Sequence, residues 1–183
     1  MRLFAATLER QSVALLAAAL CLAASSAHAF ERQWHLGAGA GVSNGEGLEM
    51  SPAVGVYAAY GLSDVFDARL ELTARGYGLA SELNPHQLSA MLGLVYKLDV
   101  LRWVPWGGVY VGYQGFEAAP RQELPFKQHD AALGIGLGLD YAFSRSFGAG
   151  VTLRFDDALS DAKDANFDAT FDALLRAEYR WGW

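Results

Sequence analysis

Residues 167–183 read Phe167-Asp168-Ala169-Thr170-Phe171-Asp172-Ala173-Leu174-Leu175-Arg176-Ala177-Glu178-Tyr179-Arg180-Trp181-Gly182-Trp183. Phe167, Ala169, Phe171, Ala173, Leu175, Ala177, Tyr179, Trp181 and Trp183 take alternate positions, with Asp168, Thr170, Asp172, Arg176, Glu178 and Arg180 between them. A period of two is a β-strand dividing two environments. The strand is long, its greasy row runs to an aromatic terminus, and the other row carries full charges of both signs. This is inside-out relative to a soluble barrel and suits a transmembrane β-barrel, with lipid outside and a polar lumen.

Seven more segments of this kind lie upstream. Strands are expected over 33–42, 53–62, 66–78, 87–100, 104–116, 130–143 and 147–158, making eight with 167–183. Each reaches or approaches the nine to eleven residues, roughly, that a tilted membrane strand needs. The links alternate between long (43–52, 79–86, 117–129, 159–166) and tight (63–65, 101–103, 144–146), which predicts an all-β, eight-stranded antiparallel up-and-down barrel. Short turns belong on the periplasmic side of such barrels, so both termini are expected there. The aromatics agree: Trp34, Tyr60, Phe66, Trp103, Tyr141, Phe143, Phe147, Tyr179, Trp181 and Trp183 fall near the tight-turn ends, and Tyr77, Phe116, Phe155 and Phe167 near the other. Trp and Tyr gather at bilayer interfaces, so the two sets predict two girdles.

The N-terminus accounts for delivery. Arg2 and Arg10 precede an Ala/Leu-rich core over 13–24, and Ala27-His28-Ala29 is a small-x-small cleavage triplet, so 1–29 reads as a cleaved signal peptide and 30–183 as the barrel domain. Cys21 follows Leu20 where lipidation would want a small residue, which argues against a lipoprotein. Cleavage would take the net charge of −6 to −7, losing two for Arg2 and Arg10 and regaining one for Glu9. It would also remove the single cysteine, leaving sheet closure rather than a disulfide to stabilise the fold. An acidic chain is a poor match for nucleic acid, which is not expected as a partner.

With this signal, eight alternating strands, short inner turns and a terminal Tyr179-x-Trp181-x-Trp183, the chain resembles the small outer-membrane barrels of the OmpA membrane domain, OmpX and OmpW type. The resemblance spans the mature chain, though that family typically ends in Phe rather than Trp. It implies integral residence in the bacterial outer membrane and the barrel-assembly machinery as a partner in biogenesis, with Tyr179, Trp181 and Trp183 as the assembly signal. Lipid bilayer and lipopolysaccharide are the other expected partners, and the barrel is expected to be monomeric. No peptidoglycan-binding domain is expected after the barrel.

The inward rows should hold a charge network of Asp67, Arg69, Glu71, Arg75, Lys97, Asp99, Asp140, Arg154, Asp172, Arg176, Glu178 and Arg180. Like charges directly opposed destabilise a sheet. The third and fourth strands are therefore expected to pair Arg69 with Asp99 and Glu71 with Lys97, and the last hairpin Arg154 with Asp172. An eight-stranded barrel has room for side chains or one small ligand, so mixed charges imply a plug rather than a wide pore. Gly37, Gly39, Gly41, Gly134, Gly136 and Gly138 would leave space for Tyr57, Met91, Tyr113 and the arginines, or else line a ligand cavity. Around Trp106 to Tyr113 the alternation blurs, which suggests a bulge near Gly107-Gly108.

Chemistry is harder to find. Gly134-Ile135-Gly136-Leu137-Gly138 lacks the setting of a phosphate loop. Asp156, Asp157, Asp161, Asp164 and Asp168 around Asn166 read as a solvated acidic loop, since their spacing fails the calcium-loop template, although such a loop could share divalent cations with lipopolysaccharide phosphates. Ser81, Glu82, His86 and Ser89, or His129 and Asp130, could serve a lipid hydrolase only if the fold brought base and nucleophile within reach. The expectation is a non-enzymatic outer-membrane barrel of structural or surface-interaction role, without cofactor or metal. The alternatives are a narrow porin-like channel or small-ligand carrier, and a lipid-modifying hydrolase. N-terminal sequencing of the protein recovered from outer membranes should begin at Phe30, whereas Met1 as the first residue would contradict the cleavage.

Overall fold

The computed structural model describes residues 32–45, 50–76, 86–98, 102–118, 126–159 and 169–182. Eight strands run β1 (Trp34–Gly45), β2 (Ser51–Gly61), β3 (Phe66–Gly76), β4 (His86–Lys97), β5 (Trp103–Ala118), β6 (Phe126–Ala142), β7 (Phe147–Ala158) and β8 (Ala169–Trp181). Each pairs antiparallel with its sequence neighbours, and β1 pairs with β8 from Trp34↔Trp181 to Gly45↔Thr170, closing the barrel. Closure leaves no edge, so the strands bond one another all the way round. The expected segments and the observed strands differ by a few residues at their ends, where frayed hydrogen bonding rather than side-chain pattern sets the limit.

The tight turns are built locally. Ser63 and Ser144 each place Oγ to accept the N–H three residues on, from Phe66 at 3.1 Å and Phe147 at 3.0 Å, while Leu62 and Phe143 donate to the carbonyls of those same residues. A serine side chain standing in for a backbone acceptor is a common turn device. These turns gather one end of every hairpin, and the aromatics collect there. Trp34 lies 4.9 Å from Tyr60, Phe66 5.3 Å from Tyr96, Trp103 4.9 Å from Tyr141 and Phe147 5.0 Å from Tyr179, centroid to centroid. The result is a belt at the short-turn end. Of the opposite set, Phe155 is exposed beside Phe171; Tyr77, Phe167 and the Phe116 side chain lie outside the described parts.

The faces are distributed by charge. Leu36, Val56, Leu70, Leu92, Val111, Leu137, Leu153 and Leu175 point outward and are exposed, while the even-numbered members of β8 and the odd-numbered members of β3 point into the lumen. Among the described residues no helix is long and apolar enough to cross a membrane; the strands carry the apolar surface.

Three expectations are corrected. First, β3 and β4 pair Phe66 with Tyr96, Arg69 with Gly93 and Glu71 with Met91, so neither Arg69–Asp99 nor Glu71–Lys97 is a register pair. In a narrow lumen charges need not meet directly across one ladder, because they can meet diagonally or from wall to wall. By contrast Arg154 does oppose Asp172. Second, β5 keeps an unbroken register with β4 and β6 through Gly107 and Gly108, without a bulge. Val104, Trp106 and Tyr110 face inward; the blurred alternation comes from glycine on both faces. Third, Tyr113 is half exposed on the outer face, stacked on His129 at 5.6 Å, and fills no lumen space.

Leu137 sits near mid-strand on the outer face at 62% exposure. Leu137→Arg should cost about 2–4 kcal/mol if that face meets the bilayer midplane. Urea titration of both proteins in lipid vesicles measures it, and an unchanged midpoint would place this face in water.

Candidate functional site

The lumen is the only region where the fold gathers chemistry among the described residues. Period-two strands send every second side chain inward, and in β3, β7 and β8 those positions are rich in Asp, Glu and Arg. Among the described residues twelve charged ones are buried there: Asp67, Glu71, Asp140, Asp156, Asp172 and Glu178 against Arg69, Arg75, Lys97, Arg154, Arg176 and Arg180. The six acids and six bases divide into six ion pairs. Arg75 meets Asp172, Arg154 meets Asp156, Arg69 meets Glu71 at 3.6 Å, Arg176 meets Asp140, Lys97 meets Asp67 at 2.7 Å, and Arg180 meets Glu178. Asp99 lies outside the described residues.

The pairs interlock across strands that are not neighbours. Nε of Arg75 on β3 donates to Asp172 on β8 at 2.8 Å, its Nη2 to Asp156 on β7 at 2.9 Å, and its Nη1 to Ser89 on β4 at 3.1 Å. Arg154 donates through Nε to Asp156 at 2.8 Å and through Nη1 to Glu71 on β3. Arg176 on β8 bonds Asp140 on β6, passing over Gly150 of β7, where a Cβ would overlap the Asp140 carboxylate. A buried guanidinium–carboxylate pair offsets its desolvation cost only where further hydrogen bonds use the remaining donors, as the bond to Ser89 does for Arg75.

Toward the short turns a second cluster forms around Glu178. Tyr57 Oη donates to Glu178 at 2.6 Å, Arg180 Nε bonds the same carboxylate, and His35 Nδ1 lies 3.2 Å from it. Toward the long loops Gln87 Nε2 donates to Gln114 at 3.0 Å, with Ser43, Ser51 and Thr170 buried nearby and half-buried Asp130 opposite Gln114. Between the clusters, Trp106 and Tyr110 enter from β5. Their rings lie over Gly138 and Gly93 on the flanking strands, and Tyr57 lies over Gly37 likewise; a Cβ at any of these glycines would overlap the ring. Here glycine is needed for close approach, and it leaves room for rings. A lumen pocket between Gly39, Tyr57, Thr73, Thr152 and Arg154 has room for about one water.

Several participants escaped the sequence reading. Asp156, expected in an acidic loop, is 1% exposed and joins Arg75 to Arg154. Its signal was available, since it shares the inward parity of Arg154 two residues earlier. His35 had the parity of Gly37 and Gly39, but nothing in the chain announced Glu178 as its partner. The proposed hydrolase residues are separated: His86 is exposed on the outer face of β4, while Ser89 is buried inside. Ser81 and Glu82 lie outside the described residues, as do Asp161, Asp164, Asn166 and Asp168, residues 1–29, and Trp183. Tyr179 and Trp181 are exposed on the outer face of β8 and stack at 5.8 Å. Among the described residues no group of three or more His, Cys, Asp or Glu is placed to hold a metal ion.

A closed eight-stranded barrel with a lipid-type exterior and an ionic interior invites comparison with known proteins. The family model of the outer membrane protein beta-barrel domain matches residues 12–173. The chain belongs to that family. No curated protein matches the sequence. Solved structures share the fold of this outer-membrane barrel at low identity. The N-terminal β-barrel domain of Pseudomonas aeruginosa OprF aligns at 17% identity over 82% of this chain and 98% of its own, with a TM-score of 0.61. Neisserial surface protein A gives 13%, 82%, 96% and 0.64, and P. aeruginosa OprG gives 16%, 86%, 100% and 0.61.

Arg75 is the hub of the loop-side network, at 2% exposure with three partners. Arg75→Met should cost about 3–5 kcal/mol by stranding Asp172, and adding Asp172→Leu should return part of that loss. Unfolding of the two variants in lipid vesicles gives both numbers; equal stability of the single variant and the parent would contradict the network.

Proposed function

We propose that this outer-membrane barrel is a non-enzymatic, structural component of the envelope, or a scaffold for surface interaction, whose lumen is closed by paired charges. The observation that carries the reading is the balance of the interior: among the described residues six buried acids are matched by six buried bases, and a lumen pocket beside Arg154 has room for about one water. A channel needs a hydrated path that ions can enter and leave. Side chains pinned across three and four strands favour a rigid rod instead.

On this reading the aromatic belt at the short turns sits at the periplasmic interface, with both termini in the periplasm and the long loops facing lipopolysaccharide. Tyr179, Trp181 and Trp183 then serve as the assembly signal read by the barrel-assembly machinery, and the folded barrel works as a monomer. The greasy exterior and the belt support this placement.

Planar-bilayer recording of the purified, refolded barrel should give a flat baseline. Steady conductance steps would instead favour the narrow-channel alternative.

A further inference from the structure

The charge network is not the only thing that crosses the lumen. Tyr57 on β2 and Trp106 on β5 stand on nearly opposite walls, three strands apart in a ring of eight. Two guanidiniums fill the gap between them. The Arg69 Cζ lies 4.6 Å from the centre of the Tyr57 ring and 4.5 Å from that of Trp106, and the Arg176 Cζ lies 5.0 and 4.5 Å from the same two rings. Each cation therefore spans the same pair of aromatics, and the four side chains, from β2, β3, β5 and β8, make one layer across the barrel.

Within this layer Arg176 keeps its hydrogen bonds to Asp140, and Arg69 is the member held differently. Arg75 is fixed by four hydrogen bonds, whereas Arg69 Nε has no hydrogen-bond partner among the described residues and its ion pair with Glu71 is long at 3.6 Å. Ring faces supply what hydrogen bonds do not, because an aromatic face attracts a cation most strongly where water is excluded. The difference matters for permeation. Ion pairs alone are polar and can be hydrated by water entering the lumen, but apolar ring surfaces at a constriction resist wetting.

Building on the closed-lumen reading above, we propose that the Tyr57–Arg69–Trp106–Arg176 layer is the permeability barrier of this barrel, and that the ion pairs on the loop side are not. The rings clamp two cations that would otherwise repel each other and draw in water. Without the rings the Arg69 guanidinium gains freedom, the layer hydrates, and ions pass.

The test is single-channel recording of three proteins: the parent, the double variant Tyr57→Ala/Trp106→Ala, and Arg75→Met, which breaks the loop-side network alone. Folding of each is read from its far-UV circular dichroism and protease resistance in detergent. The expected result is a flat trace for the parent and for Arg75→Met, with steady steps for the double variant. A folded double variant with a flat trace overturns the barrier assignment while leaving the closed lumen standing, and so does an Arg75→Met variant that opens equally. Steps in the parent strike at the closed lumen itself. Should the double variant fail to fold, Arg69→Ala takes its place, since Glu71 keeps Arg154 as partner. That variant should conduct, and added guanidinium ion, unlike sodium, should refill the slot and abolish the steps; a folded Arg69→Ala with a flat trace, or steps that guanidinium does not change, overturns the proposal.

Discussion

The structure depends on the pairing of β1 with β8. In hydrocarbon an unpaired backbone N–H or C=O costs several kcal/mol, by the usual estimate, with no water to take its place. Seven hairpin ladders would still leave two bare strand edges. The twelve residue pairs from Trp34↔Trp181 to Gly45↔Thr170 remove them, and with them the only route by which the sheet could unroll. That the pairing partner is the most strongly alternating segment of the chain follows from its task, because β8 must be correct on both faces before it can complete the cylinder.

Closure then dictates the interior. Eight strands enclose a space too narrow for bulk water yet lined by every second residue, so inward side chains must satisfy one another. Charges can do so only in balance. The six acids and six bases buried among the described residues achieve this, and the links from β3 to β7 and β8 turn the wall into a braced tube. Glycines complete the fit by letting large side chains lie against the neighbouring strand, as Trp106 does at Gly138 and Asp156 at Gly134.

How far this was readable from the chain varies with the range of the interaction. Inward and outward rows of β3 and β8 were legible residue by residue, because parity is a property of the strand alone and a single misplaced arginine in lipid would be costly. The register of β3 with β4 was not, since Phe66↔Tyr96 and Leu70↔Leu92 align apolar pairs outside while the charges inside answer to partners elsewhere. Asp156 was misjudged for a related reason: its neighbours in sequence are acidic, but its neighbours in space are Arg75 and Arg154. Trp106 and Tyr110 were ambiguous because glycine at 107, 108 and 112 erases the contrast that alternation relies on.

By itself the amino-acid sequence determined the class of the protein, its eight crossings, the composition of each face and the medium each face meets, all of which rest on two-residue periodicity and the solvation of side chains. Only the tertiary structure decided which acid meets which base and that Tyr57 and Trp106 share two arginines. Those are contacts between strands far apart in the chain, fixed by the stagger of a closed sheet, and no local pattern encodes the stagger.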